Sequence, residues 1–387
     1  MDKIINRNNV PKLRFGEFNN EWKEVKLKDL STDISYGMNV PATDYDGENK
    51  YIRITDIDEE TSLYTNNNVS PLGILDDKFL LKENDILFAR TGASTGKTYL
   101  YDKKDGKLYY AGFLIKAHIK DNYIGKFIFE QTKLNKYYNW VRITSMRSGQ
   151  PGINSLEYGN YKFAITSIFE QQKIANFFTL IDKKINLQTQ KVELLKKCKK
   201  GLLQNLKSNS KDWKEFRIKD LFNITRGQVI PKNTLRYLSD KEYKYPVYSS
   251  QTSNHGILGY DKTYDFDGQY LTWTTDGANA GKVFYRNGKF RCTNVCGLLY
   301  SSQNVAYINL LTADLLNYET PKYVSYVGNP KLMNNVMSNI KIKLPSLKIQ
   351  SKVSNIFIIF NKKIYIENQK LEKLNNLKRS LLHQMFI

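Results

Sequence analysis

The chain has 387 residues, 41% hydrophobic and 25% charged, with a formal net charge of +21. That length exceeds one typical core and suits two domains, and the basic excess favours a polyanionic partner such as nucleic acid. No apolar run approaches the length of a bilayer span, Ile356 to Phe360 being the longest, so a membrane protein is not expected.

The first residues, Met1 to Arg7, are polar and hold no signal-peptide core, which favours a cytoplasmic protein. From Trp22-Lys23-Glu24 onward the pattern is one of short β-rich segments with turn punctuation. Asp85 to Arg90 reads as a strand, followed by the glycine-rich loop Thr91-Gly92-Ala93-Ser94-Thr95-Gly96-Lys97. That loop resembles a phosphate cradle but stands one residue short, Thr91 occupying the place of the first glycine, so a hairpin turn is expected. The acidic run Asp56 to Glu60 reads as a surface turn.

A long helix is expected from Ser167 onward. Apolar residues recur at Ile174, Phe178, Ile181, Ile185, Val192, Leu195 and Leu202, alternating steps of four and three, which is a heptad seam. Gly201 weakens it by about 1 kcal/mol relative to alanine. The same pattern returns 179 residues later at Val353, Phe357, Phe360, Ile364, Leu371, Leu374 and Leu381. With Ser167 aligned on Ser346, 15 of 40 positions are identical without a gap. Each helix would be about 60 Å long at 1.5 Å per residue. Polar residues interrupt both seams alike, Gln188 and Lys199 in the first and Glu367 and Lys378 in the second. One antiparallel register would set Gln188 beside Lys378 and Lys199 beside Glu367.

The segment between the helices repeats the landmarks of the first domain. Trp213-Lys214-Glu215 with Asp220-Leu221 matches Trp22-Lys23-Glu24 with Asp29-Leu30. Gly227 and Pro231 match Gly37 and Pro41 after a shift of one. Asp276 to Lys282 resembles Thr91 to Lys97, and Gly328-Asn329-Pro330 matches Gly149-Gln150-Pro151. The expected architecture is α+β and pseudo-two-fold. Two globular domains with mixed or antiparallel sheets, 1–166 and 209–345, are joined by helices 167–208 and 346–387 in an intramolecular antiparallel coiled coil.

Catalytic signatures are missing. There is no Pro-Pro dipeptide, hence no amino-methyltransferase site of that type, and no Gly-x-Gly for a cofactor loop. The cysteines Cys198, Cys292 and Cys296 and the histidines His118, His255 and His383 give neither a disulfide framework nor metal-ligand spacing. No catalytic, cofactor-binding or metal residues are therefore assigned.

A Trp-Lys-x-x-x-Leu/Ile-x-Asp-Leu start, a glycine loop and a glutamine-containing long helix, all repeated, resemble the specificity subunit of type I restriction–modification systems. Members of that family commonly have Pro before the helix and Glu-Gln in its first turn. Here Glu170-Gln171 is present but Thr166 stands where the second copy has Pro345, and that copy has Ile349 before Gln350. The resemblance implies two target-recognition domains, each reading half of a bipartite, asymmetric site on double-stranded DNA. The helices would fix the gap and carry two DNA adenine methyltransferase subunits, which ATP-dependent restriction subunits join. The chain itself would be non-catalytic and bind no cofactor. A stand-alone DNA-acting enzyme with a diverged site and a basic structural adaptor are the alternatives.

Cations hold phosphates, while amides, hydroxyls and arginine read base edges. On that basis the candidate DNA-binding residues of the first domain are Ser35, Tyr36, Arg90, Thr91, Ser94, Lys97, Arg142, Arg147, Ser148 and Gln150. Those of the second are Thr225, Arg226, Gln228, Thr274, Thr275, Asn279, Lys282, Asn329 and Lys331. The loop Arg147-Ser148-Gly149-Gln150 is the most attractive, with a cation and an amide beside a flexible glycine.

Overall fold

The strand Asp85–Ala89 is buried along its whole length, and its side chains alternate between two cores. Ile86 and Phe88 face a core built on Trp22, Phe127 and Phe178, while Leu87 and Ala89 face a second built on Ile52, Tyr99 and Tyr110. That is the period-two signature of a strand covered on both faces. In a computed structural model describing residues 9–146, 149–301 and 304–387, this strand is central to an antiparallel sheet ordered Ser31–Tyr36, Leu114–Ile119, Asp85–Ala89, Thr98–Leu100.

The chain divides into two compact units, Met1–Leu187 with Lys370–Ile387, and Gln188–Gln369. The second unit builds its main sheet in the same order from the corresponding strands, Asn223–Arg226, Cys296–Tyr300, Gln269–Thr274 and Val283–Asn287. Leu271, Trp273 and Leu299 point into its helical core, and Cys296 and Leu298 into a smaller one around Phe290. In each unit a short strand that begins at the lysine of the Trp-Lys-Glu motif pairs antiparallel with the strand that leads into a long helix. Lys23–Lys26 pairs with Lys162–Ile165, and Lys214–Arg217 with Lys341–Leu344. This ties the beginning of each domain to its end.

The long helices span Ile168–Ser208 and Leu347–Met385. The seam residues named above are buried or half-buried. Within each unit the two helices run antiparallel. In the first, Phe178 meets Phe386 and Asp182 meets Lys378. In the second, Gln188 meets Glu367, and Lys199 lies 4.9 Å from the Phe357 ring centroid.

The polar register differs from expectation. The Gln188 side-chain amide donates to both the carboxylate and the backbone carbonyl of Glu367, each at 2.8 Å, so Gln188 meets its own repeat counterpart rather than Lys378. Glu367 is thus matched eleven residues earlier on the first helix than Lys199. Eleven residues make three helical turns, so such a slip returns the same apolar faces to the seam, and periodicity cannot distinguish the two registers.

The seam lysines turn instead to the domains. Lys378 reaches Asp182 at 2.7 Å and the buried Glu130 at 3.3 Å. Its counterpart Lys199 reaches Asp314 at 2.6 Å. Glu130 lies on the helix Gly125–Gln131 and Asp314 on the helix Leu310–Glu319. Each lysine therefore fastens a long helix to a domain helix.

Helix starts are fastened by the paired glutamines. The Gln171 amide donates to Thr166 O, and its oxygen accepts Ile124 N. Gln350 donates to Pro345 O and accepts from the Asn309 side chain. The missing glutamate has a visible consequence: Glu170 takes a bidentate pair of bonds from Arg14, whereas Ile349 is exposed.

Candidate nucleic-acid interface

In the first unit, strand Ser31–Tyr36 ends at Gly37, whose amide donates to Leu114 O at 3.2 Å. A Cβ there would lie 2.4 Å from the carbonyl oxygens of Tyr110 and Ala111, so glycine is required. Ser35 donates to Asp33 and lies 3.0 Å from the Tyr110 hydroxyl. The Tyr36 hydroxyl accepts from the Ser155 amide at 3.1 Å, and the Arg90 guanidinium stacks 4.7 Å from its ring centroid. Burial raises the Tyr36 pKa, but the Ser155 hydrogen bond and the Arg90 charge outweigh it and leave the phenol below its usual value.

The Arg90 backbone joins these pieces, its amide donating to Phe113 O and its carbonyl accepting from Ile153 N. The loop 91–97 is a hairpin turn between antiparallel strands. Its Gly92 and Gly96 have φ of +74° and +90°, the left-handed region that favours glycine. Gly92 N donates to Pro151 O at 2.9 Å and Gly96 N to Ala89 O at 3.0 Å. Loops predicted separately, around 35–37 and 90–97, thus meet the backbone of Pro151 to Ile153 at one face, whereas Arg142 sits in the helix Asn135–Thr144 rather than in the expected loop. Thr91 bridges to Gly152, Ser94 is half-buried, Lys97 lies 3.7 Å from Glu59, and Arg142 and Gln150 are exposed. Arg147 and Ser148 lie outside the described residues.

The second unit repeats this backbone bond for bond. Gly227 N donates to Cys296 O, Gly277 N to Pro330 O, and Gly281 N to Thr274 O. Arg226 takes the place of Tyr36 and donates to Asn334, at the start of the short helix Asn334–Asn339, as Tyr36 binds the start of Ser155–Asn160. Gln228, Asn279, Lys282, Asn329 and Lys331 are exposed or half-buried, and Thr225 is half-buried.

Two candidates fall away. Thr274 and Thr275 are buried, with hydroxyls spent on Asn279 O and the Asp276 carboxylate. Thr274 ends the strand Gln269–Thr274 and Thr275 follows it, and both side chains close the hairpin from beneath.

A further loop joins the face in each unit, and sequence reasoning missed it. Strand Lys50–Ile52 pairs parallel with Leu108–Tyr110, and Tyr245–Tyr248 with Arg291–Cys292. The parallel pairing delivers the loops after Ile52 and Tyr248 beside Met38 and Gln228. Parallel neighbours far apart in sequence leave no local signal. The run Asn254-His255-Gly256 was the available hint of an unusual turn.

Among the described residues no helix is long and apolar enough to cross a membrane. Comparison with known proteins gives consistent matches. The family model described as the type I restriction modification DNA specificity domain matches twice, over residues 19–197 and 210–376. A putative type I specificity subunit N-terminus from Mycoplasma pneumoniae is 45% identical over 148 residues, 38% of this chain and 77% of the relative. The MpnII type I restriction enzyme specificity subunit of the same organism is 43% identical over 148 residues, 38% of this chain and 43% of that one. Much of the second relative's length thus lies outside the match. The crystal structure of a type I restriction–modification system S subunit from M. genitalium matches in fold. Its TM-score is 0.67 at 17% identity, covering 98% of this chain and 99% of that one. With two copies of the domain covering most of its length, the chain belongs to the type I restriction–modification DNA specificity family.

Proposed function

We propose that the chain is the non-catalytic DNA sequence-specificity subunit of a type I restriction–modification complex, working in the cytoplasm. Domains 1–166 and 209–345 each read one half of a bipartite, asymmetric site on double-stranded DNA. Helices 167–208 and 346–387 set the gap and dock two adenine methyltransferase subunits, which ATP-dependent restriction subunits join.

The observation that carries this reading is the doubled loop face. One backbone scaffold, fixed by Gly37/Gly227 and the two hairpins, presents different side chains in each unit: Tyr36 against Arg226, Ser94 against Asn279. Constant scaffolding with variable tips is what two readers of different sequences require. The charge of +21 suits the phosphate backbone. Docking is supported by apolar residues left exposed on the long helices at repeat-equivalent places, Leu180 and Leu187 in the first unit and Ile359 and Ile366 in the second.

The test is co-expression with the cognate methyltransferase subunit, followed by mapping of methylated adenines. A split motif with a fixed gap is expected, and exchanging residues 1–166 for another such domain should change one half of it. Methylation or cleavage by the chain alone, or an exchange that alters both halves, would overturn the reading.

A further inference from the structure

We infer that the loop after Tyr248, and above all the turn Ser253–Gly256, is a further DNA-reading element of the second unit that presents Asn254 and His255 to base edges. The inference rests on the specificity reading above and adds to it two residues that the sequence did not single out.

Placement comes first. Thr293 N donates to Tyr248 O at 2.9 Å, and the Thr293 hydroxyl lies 3.1 Å from that of Ser249. Cys292 O accepts the Gln228 amide at 3.0 Å. The loop therefore leaves the sheet beside Gln228, on the face already built from three loops.

Its shape is the second observation. Asn254 has φ 47° and ψ 42°, His255 has φ 53° and ψ 26°, and Gly256 has φ 83°. Three successive left-handed residues, two of them not glycine, are sterically costly. Such strain persists where surrounding structure over-determines it, and it clusters at ligand clamps. Packing does not offset it here, because Ser253, Asn254 and His255 are exposed. Neither the Asn254 nor the His255 side chain has a hydrogen bond or ion pair among the described residues.

The turn is nonetheless held firmly. Ser249 N donates to Gly256 O at 3.0 Å, Ile257 N to Asn254 O, and the Gln251 amide to Ile257 O. Beneath lies Arg286, buried, with its guanidinium 3.6 Å from the Tyr248 ring centroid and its Nε donating to Thr272. A Cβ on Gly256 would come within 2.9 Å of Arg286 Nη2. Arg286 has no carboxylate within ion-pair distance among the described residues, so its positive charge stands under the turn unmatched. A polyanion approaching this face would meet that charge.

The equivalent loop of the first unit is built otherwise. There Arg53 is spent on a bidentate pair with the buried Asp56. The loop thus differs between the units where the scaffold does not, as a specificity element should. An asparagine amide can bond adenine through two hydrogen bonds, and imidazole supplies one donor and one acceptor to a base edge.

The experiment compares Asn254→Gly and His255→Gly in the full chain assembled with its methyltransferase. Glycine adopts positive φ freely, so both variants keep or raise the thermal midpoint. Expected is an affinity for motif-bearing duplex about ten-fold lower in each, following from the loss of one base contact. The methylated motif should relax within one half only. Wild-type affinity and motif in both variants overturn the inference alone. So does a loss matched by a lower midpoint, because it assigns these residues to the fold. Absence of any sequence-specific methylation by the wild type overturns the specificity reading itself, and this inference with it.

Discussion

The two units share a backbone more closely than they share side chains. The hairpins at 91–97 and 276–282 make matching hydrogen bonds to their strands and to Pro151 and Pro330, yet their polar tips differ, Thr91 against Asp276, Ser94 against Asn279 and Thr95 against Ala280. The fastenings of the long helices show the reverse. Gln171/Gln350 and Lys199/Lys378 keep their identity while their partners change, Ile124 for Asn309 and Asp314 for Glu130. Loop tips that face outward can diverge without disturbing the hairpin, provided the glycines stay. A residue that anchors a helix must keep its reach and charge.

The fastenings are unequal, and this yields the largest expected effect. Glu130 is fully enclosed, and Lys378→Met would leave it with Lys126 and Lys133 as its cationic neighbours. Losing one partner of a buried pair costs about 3–5 kcal/mol. Asp314 keeps 22% side-chain exposure, although the Oδ2 that faces Lys199 is itself enclosed, so Lys199→Met should cost less, about 1–3 kcal/mol. Denaturant unfolding of the two full-length variants measures this, and equal losses would erase the distinction between the units.

The glycine scaffold should respond alike in both. Ala at Gly37 or Gly227 would place Cβ 2.4 Å or 2.1 Å from a backbone oxygen that cannot move without opening the sheet. Each substitution should cost about 3 kcal/mol or more, at the upper end of overpacking. Gly149→Ala, with nothing within 4 Å, is the matched control and should change little. A tolerant Gly227 beside an intolerant Gly37 would show that the scaffolds are less alike than their hydrogen bonds.

A pH difference follows from a cluster found in the first unit. The Lys133 ammonium bonds Ser62 and Thr98 and lies 4.2 Å from the Phe129 ring centroid, although the residue as a whole is only half-buried. Desolvation lowers its pKa to about 7, with Glu130 pulling the other way. Between that value and the ordinary lysine value near 10.4 the unfolded chain holds one more proton than the folded one, so stability rises with pH. Wild type should therefore gain stability relative to Lys133→Met as pH rises from about 7 to 10, read from midpoints in matched buffers. A difference that stays flat would mean that the ammonium is hydrated.

Much of this architecture was legible in the sequence because it is periodic or repeated. The heptad seam gave both helices, and the 179-residue offset gave the duplication, while the shared landmarks paired Gly37 with Gly227. The register was not legible, since Gln188 opposite Glu367 and Lys199 opposite Glu367 serve the seam equally well. Nor was the destination of Lys378, whose partner Glu130 is remote in sequence. That the candidate loops share a face was not legible either, and Thr274 and Thr275 turn inward, because a strand end looks the same in sequence whether it faces a groove or a core. The loops after Ile52 and Tyr248 were invisible because parallel pairing brings them in from afar.

The smallest effect concerns a place where the repeated helices differ. Gly201 of the first helix corresponds to Ser380 of the second, whose hydroxyl accepts from the Gln384 amide at 2.8 Å. Gly201 lies within Ile168–Ser208, a Cβ added there would meet nothing within 4 Å, and its φ is not positive. It is thus glycine without a steric reason, and alanine should stabilise the second unit by about 1 kcal/mol through lower unfolded-state entropy. The gain should appear as a higher unfolding midpoint with motif choice unchanged. A loss of stability would mean that the helix bends at Gly201 in the assembled complex, and that the two long helices, alike in seam and fastening, differ in stiffness through this one residue.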